Sequence, residues 1–154
     1  ERNDLVFQIV LPKTLKKEDI FASFEIKTSV KLFDFGSLDF AKAIRQSEYA
    51  IISGGITRYE CIAAKTFFIA ISIHRAQYEL TALTTKYGFG CNFGVNDELN
   101  SRDLIQYLET LPVKPKLPNP ATQAVILRKG AALSTFKTVM EIINNNESKI
   151  SNYN

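Results

Sequence analysis

Two adjacent glycines, Gly54 and Gly55, sit in the segment Ser53-Gly54-Gly55-Ile56-Thr57. An apolar run, Tyr49 to Ser53, precedes them, and a stretch with helical spacing, Thr57 to Ala64, follows. A glycine pair between a strand and a helix lets the backbone bend sharply and approach a ligand with no Cβ in the way. The helix behind it offers free N–H groups and the positive end of its dipole. Together these suit a diphosphate. The Thr57 hydroxyl has two uses in this pattern, capping the helix or bonding a phosphate oxygen. Glu60 lies three residues beyond Thr57, which fits a capping box. It also fits a carboxylate that accepts hydrogen bonds from two ribose hydroxyls.

Other chemically capable residues are sparse. His74, the only histidine, stands beside Arg75 at the end of a second apolar run, Phe67 to Ile73. Imidazole suits acid–base work near neutral pH, and a guanidinium pairs phosphate or carboxylate; a solvated helix start is the plainer use of both. Cys61 and Cys91 form no C-x-x-C pair, so a zinc site is not expected and two small buried thiols are. Lys13, Lys16 and Lys17 suit a solvated helix face. Phe33 and Phe35 alternate and share one face of a strand.

The elements that must hold these residues alternate between strand and helix. Strands are expected over Leu5 to Leu11, buried on both faces, and over Val30 to Phe35, Tyr49 to Ser53, Phe67 to Ile73 and Gly90 to Val95. Helices are expected from Thr14 to Phe21, after Ser37 as N-cap with Leu38, Ala41 and Ile44 in register, and from Thr57 to Ala64. Ala76, Leu80, Leu83 and Tyr87 mark one face of the next helix, which Gly88 ends. Asn100 or Ser101 caps a helix carrying Leu104, Ile105, Leu108 and Leu111. Pro112, Pro115, Pro118 and Pro120 make a stiff linker. A last helix runs from about Ala131 to Asn145 with Leu133, Phe136, Met140 and Ile143 inward. The expected fold class is α/β, a Rossmann-like parallel sheet with helices on both faces. Residues 1–111 form the binding domain, 112–120 the linker and 121–154 a helical segment packed on the same domain. In such sheets ligands bind at the carboxyl edge of the strands. There the glycine loop, the turn Phe35-Gly36-Ser37 and the turn His74-Arg75-Ala76-Gln77 come together.

The segment from Ile51 through Thr66, with its core Gly54-Gly55-Ile56-Thr57-Arg58-Tyr59-Glu60 followed by an apolar strand and Gln77, resembles the C-terminal half of a group of GT-B enzymes. The group includes the UDP-sugar hydrolase of pseudaminic acid synthesis, spore-coat polysaccharide proteins and the glucosaminyltransferase of peptidoglycan precursor synthesis. The order of elements agrees from about Val30 to Val95. The resemblance implies that Ser53, Gly54, Gly55 and Thr57 hold the diphosphate of UDP and that Glu60 holds the ribose. It further implies that Phe35, Gly36 and Ser37 lie against uracil, and that Gln77, with His74 and Arg75 beside it, reaches the sugar. One departure stands out: Ala76 occupies the place before Gln77 where hydrolase-like members carry Asn or Asp.

The resemblance implies the nucleotide-binding half of a sugar-nucleotide hydrolase or glycosyltransferase of surface polysaccharide or nonulosonate synthesis. A UDP-sugar 2-epimerase half and a non-catalytic nucleotide-sugar-binding subunit remain alternatives. The implied ligand is a UDP-sugar and the implied partner an N-terminal GT-B domain, fused or separate; no cofactor or metal is required. No catalytic residue is assigned, since the related hydrolases take their base from the other half, and the isolated chain is expected to be inactive. The 154 residues, 45% hydrophobic and 23% charged, suit one globular domain. A net charge of +3 is too small and too evenly spread for a nucleic-acid surface. No run reaches the ~18 apolar residues of a membrane helix. No signal peptide opens the chain, so a cytoplasmic fragment of a longer protein is expected.

Overall fold

The computed structural model describes residues 6–11, 13–16, 18, 30–34 and 39–127. Contacts divide the chain into two units, residues 1–119 and residues 120–154. In the first unit the elements are β1 (Phe7–Leu11), β2 (Val30–Asp34), α1 (Phe40–Arg45), β3 (Tyr49–Ile52), α2 (Thr57–Ala64), β4 (Phe67–Ser72), α3 (Arg75–Thr85), β5 (Gly90–Val95) and α4 (Ser101–Thr110). The second unit contains α5 (Pro120–Ile126). Proline opens α5 at the first helical position, where its missing N–H breaks no bond.

Among the described residues every strand pairing is parallel: β1 with β2, β3 with β4, and β4 with β5. Parallel strands joined through helices give a Rossmann-like topology. Hydrogen bonding nevertheless divides the strands into two sheets, β1-β2 and β3-β4-β5. This alters the expectation for the first strand. Leu11 is buried, but Phe7, Gln8 and Ile9 are exposed, and among the described residues β1 pairs with β2 alone.

The core lies around β4, the central strand of its sheet. Phe68, Ile69 and Ala70 are wholly buried, as a run apolar on both faces requires. Cys61 and Ile62 of α2 and Phe89 before β5 are buried with them. The Thr66 hydroxyl donates to the carbonyl of Ile44 at 2.6 Å, tying the end of α1 to the start of β4. The Tyr49 hydroxyl donates to the carbonyl of Pro112 at 2.7 Å, anchoring the first residues of the proline-rich stretch to β3. A bulge in β5 inserts Phe93, since Ala70 pairs with Asn92 and Ile71 with Gly94. The Phe93 ring packs on Tyr107 of α4 at 5.4 Å between centroids.

Of the α1 and α4 starts, one differs from expectation, and the other takes the first of its two expected caps. The N-cap of α1 is Asp39, whose carboxylate accepts from the N–H of Lys42 at 2.9 Å, not Ser37. Asn100 caps α4 by accepting from the N–H of Arg102 at 3.0 Å. The helix α3 is rotated relative to its apolar stripe: Thr81 and Thr84 face inward and are buried, whereas Ala76, Leu80, Leu83 and Tyr87 are exposed. Close packing over Gly54 accounts for Thr81, because only a small side chain fits there, and the Thr84 hydroxyl donates to the Thr81 carbonyl. Half of the Thr14–Phe21 segment, and all of the expected Phe35-Gly36-Ser37 turn and the expected Ala131–Asn145 helix, fall outside the described residues.

Candidate functional site

The loop Ser53–Ile56 leaves the carboxyl end of β3, and the His74 turn leaves that of β4. Because β3 and β4 are parallel neighbours in register, the two turns stand side by side. Gly54 has φ +77°, and a Cβ built on it would lie 2.6 Å from the Thr81 hydroxyl oxygen and 3.2 Å from that of Ser72. Glycine is therefore demanded twice here, by the left-handed backbone and by the approach of α3. The Thr81 hydroxyl lies 3.0 Å from the carbonyl oxygen of Gly54 and 2.8 Å from that of Gln77, which clips the loop to the first turns of α3.

Arg58, on the first turn of α2, is only 7% exposed. Its guanidinium donates to the carbonyls of Gly54 and Gly55 and to the Tyr59 hydroxyl. The peptide unit is planar and trans, so a carbonyl and the N–H of the following residue point to opposite sides. With the carbonyls of Gly54 and Gly55 turned to Arg58, the N–H groups of Gly55 and Ile56 point the other way. They make no hydrogen bond among the described residues. The N-cap of α2 is Ile56, in a helical conformation and without a side-chain cap bond. Thr57 is thus the first helical residue and not the cap, and Thr57 and Glu60 do not form a capping box. The start of α2 presents unpaired amide hydrogens and the positive end of the helix dipole to a single space.

Around that space, a Cβ built on Gly55 would lie 3.5 Å from the Gln77 amide nitrogen and 4.0 Å from the Ser53 hydroxyl oxygen. Ser53, Gly55 and Gln77 are therefore brought together. Gln77 is held by a reciprocal cap: its N–H donates to Nδ1 of His74 at 3.2 Å, and its side-chain oxygen accepts from the N–H of Ile73 at 2.7 Å. The arrangement is a variant of the capping box, with His at the N-cap and Gln three residues on, in which the Gln side chain accepts from the residue before the cap. It leaves the Gln77 amide nitrogen beside Gly55 and occupies Nδ1 of His74 as an acceptor. Arg75 is engaged on its own helix, 3.6 Å from Glu79 and over the Tyr78 ring.

Glu60 is exposed and borders a cavity of about 270 Å³ between α1 and α2. Phe40, Ala41 and Ile44 form one wall, Ala63 and Ala64 the other, and Arg45 joins Glu60 among the lining residues. Burial pushes the Cys61 thiol up to about 12, with the adjacent Glu60 carboxylate adding to the shift. The Cys91 thiol is also raised by burial. Among the described residues no group of three or more His, Cys, Asp or Glu gathers to hold a metal ion, and no helix is long and apolar enough to cross a membrane.

Sequence reasoning missed three residues that shape the loop: Arg58, Thr81 and Ser72. A signal existed only for Thr81, four residues after Gln77 and so on the same helix face. Phe35, Gly36 and Ser37 lie outside the described residues. No protein-family model, curated protein or solved structure matches the chain.

Proposed function

We propose that this chain is the nucleotide-sugar-binding domain of a GT-B-type enzyme and that its ligand is a UDP-sugar. The observation that carries this reading is the pair of unpaired amide hydrogens at Gly55 and Ile56, held outward by Arg58 at the uncapped start of an eight-residue helix. Such a nest binds the oxygens of a diphosphate. The Ser53 hydroxyl and the Gln77 amide stand close enough to that space to add donors, and Thr57 supplies another hydroxyl at the helix start. Glu60, at the end of that first turn, offers its carboxylate to two ribose hydroxyls, with the apolar cavity between α1 and α2 alongside. This reading gives the base side to Phe35, Gly36 and Ser37, which lie outside the described residues.

The proposed reaction breaks or transfers the bond at the anomeric carbon of the sugar. Stabilising the departing UDP is the task of the nest, since fixed donors need no reorganisation as negative charge develops. Nδ1 of His74 already accepts the Gln77 N–H, so this histidine serves as a cap and positions Gln77. An acid–base group is then supplied by an N-terminal GT-B domain, fused or separate, that faces the loop across a cleft, and the isolated chain binds without turnover. The test is a thermal-shift series with UDP, UMP, UDP-GlcNAc, CMP and GDP. UDP and UDP-GlcNAc should stabilise the chain most, with affinities of roughly 0.1–1 mM because half of the cleft is missing. Equal shifts with UMP and UDP would sink the diphosphate assignment, and equal shifts with GDP and UDP the uridine assignment.

A further inference from the structure

The apolar residues exposed along α3 follow a single rule of spacing. Ala76, Leu80, Leu83 and Tyr87 follow one another at steps of four, three and four residues, and Ile73 lies just before the helix's N-cap. Ile73 is 64% exposed, Leu80 53% and Leu83 57%. A face turned toward its own sheet would bury these residues; instead Thr81 and Thr84 are buried there. Apolar residues alternating at three and four are the seam of a two-helix coiled coil, occupying its two core positions in turn. This seam points away from the core of the chain that carries it.

The residues flanking the seam state which helix covers it. On one flank stand Glu79 and Lys86, seven residues apart and opposite in charge. Both are exposed. In an antiparallel pair of identical helices, Leu80 of one copy packs against Leu83 of the other. That register places Ala76 opposite Tyr87 of the second copy, a small residue against a large one, at both ends of the seam. The same register sets Glu79 opposite Lys86 of the second copy, twice by the two-fold axis. A parallel pair would instead stack Tyr87 on Tyr87 and Ala76 on Ala76, and would bring no opposite charge of the second copy to Glu79, which its own helix already pairs with Arg75, or to Lys86. Charge and size thus both select the antiparallel arrangement.

We infer that the Ala76–Leu80–Leu83 stripe of α3, with Tyr87 just past its end, is the seam of an antiparallel, two-fold homodimer. The helix has eleven residues, so the contact is smaller than the roughly 1,200 Å² of stable complexes, and the dissociation constant falls on the order of 10–100 µM. The two glycine loops then lie at opposite ends of the seam, each beside the start of its own α3. The inference stands independently of the proposed ligand.

Sedimentation equilibrium of the full chain over about 5–500 µM, spanning that constant, tests it. A monomer–dimer equilibrium that weakens with salt is expected, because the exposed Glu79–Lys86 pairs are screened. Leu80→Glu and Leu83→Glu should each leave a monomer throughout, with the far-UV circular dichroism unchanged. Lys86→Glu should raise the dissociation constant about tenfold, two like-charge contacts replacing two opposite ones. Adding Glu79→Lys to Lys86→Glu should recover most of that loss. A wild-type chain that stays monomeric over the whole range overturns the inference. So does a dimer indifferent to both Leu substitutions, or a charge swap that fails to restore association. Should a Leu variant lose its fold, the charge swap still decides the outcome.

Discussion

The Thr81 hydroxyl donates to the Gly54 carbonyl at 3.0 Å, and it stands 2.6 Å from the point where a Cβ on Gly54 would sit. The contact that fixes the loop therefore also forbids any larger residue in it. Gly54→Ala should destabilise the domain by about 1–3 kcal/mol, from overpacking and a left-handed backbone together. Thr81→Ala removes the obstructing oxygen, so the double variant should be less destabilised than the sum of the two single changes. Chemical denaturation of all four proteins measures this coupling; strict additivity would show that the clash is relieved elsewhere.

Gly55 behaves differently. Its Cβ position meets only ordinary contacts, with Gln77 and Ser53, and its φ lies outside the left-handed region. Gly55→Ala should change stability by no more than about 0.5 kcal/mol, the range of substitutions that disturb no packing. Gly55→Val should leave the fold and abolish the UDP-induced thermal shift, since the branched side chain fills the space beside Gln77 and Ser53. Normal UDP binding by the Val variant would remove the loop from the site.

Glu60 is a carboxylate without a capping partner, which separates its two sequence-level uses. Glu60→Gln should weaken UDP binding by about 1–3 kcal/mol, the loss of charge-assisted bonds to hydroxyls, and leave the melting temperature of the free chain nearly unchanged. Titration calorimetry and a melting curve on the same sample check both halves. A lowered melting temperature with unaltered affinity would assign Glu60 a structural role.

His74→Ala should cost about 0.5–2 kcal/mol through loss of the α3 cap. His74→Asn, which retains an acceptor at the N-cap, should recover most of it. Because the cap positions Gln77 against Gly55, the Ala variant should also bind UDP-GlcNAc less tightly than the Asn variant does. Equal stability of the Ala variant and wild type would show that the His74–Gln77 bond contributes nothing.

The Cys61 thiol is raised from 9.0 to about 12, first by burial and then by Glu60. Its folded value lies above its unfolded one, so the proton is held more tightly in the native state. The stability this supplies is complete below about pH 9 and is lost as the pH rises toward about 12. Denaturation midpoints should fall over that window, and less steeply in Cys61→Val. At pH 8 the thiol should resist a thiol-specific reagent until the chain unfolds; rapid labelling of the native chain would contradict its burial.

Much of this architecture is legible in the order of residues. The strand runs Phe67 to Ile73 and Gly90 to Val95, the helix Thr57 to Ala64 and the turn at Gly88 follow from local pattern, because hydrophobic periodicity and glycine punctuation act over a few residues. The adjacency of the glycine loop and the His74–Gln77 turn follows as well, since parallel neighbours carry their loops at one edge. Tertiary structure alone decides the rest. The division into two sheets depends on which strands meet. The inward turn of Thr81, against the helix's own apolar stripe, depends on how closely Gly54 approaches α3. The choice of Ile56 over Thr57 as N-cap and the burial of the Arg58 guanidinium against two carbonyls depend on the path of one loop. The amide hydrogens of Gly55 and Ile56 face outward because Arg58 holds their carbonyl neighbours on the opposite side of planar peptide units. That relation joins backbone atoms to a side chain folded back over them, and no periodicity in the sequence encodes it.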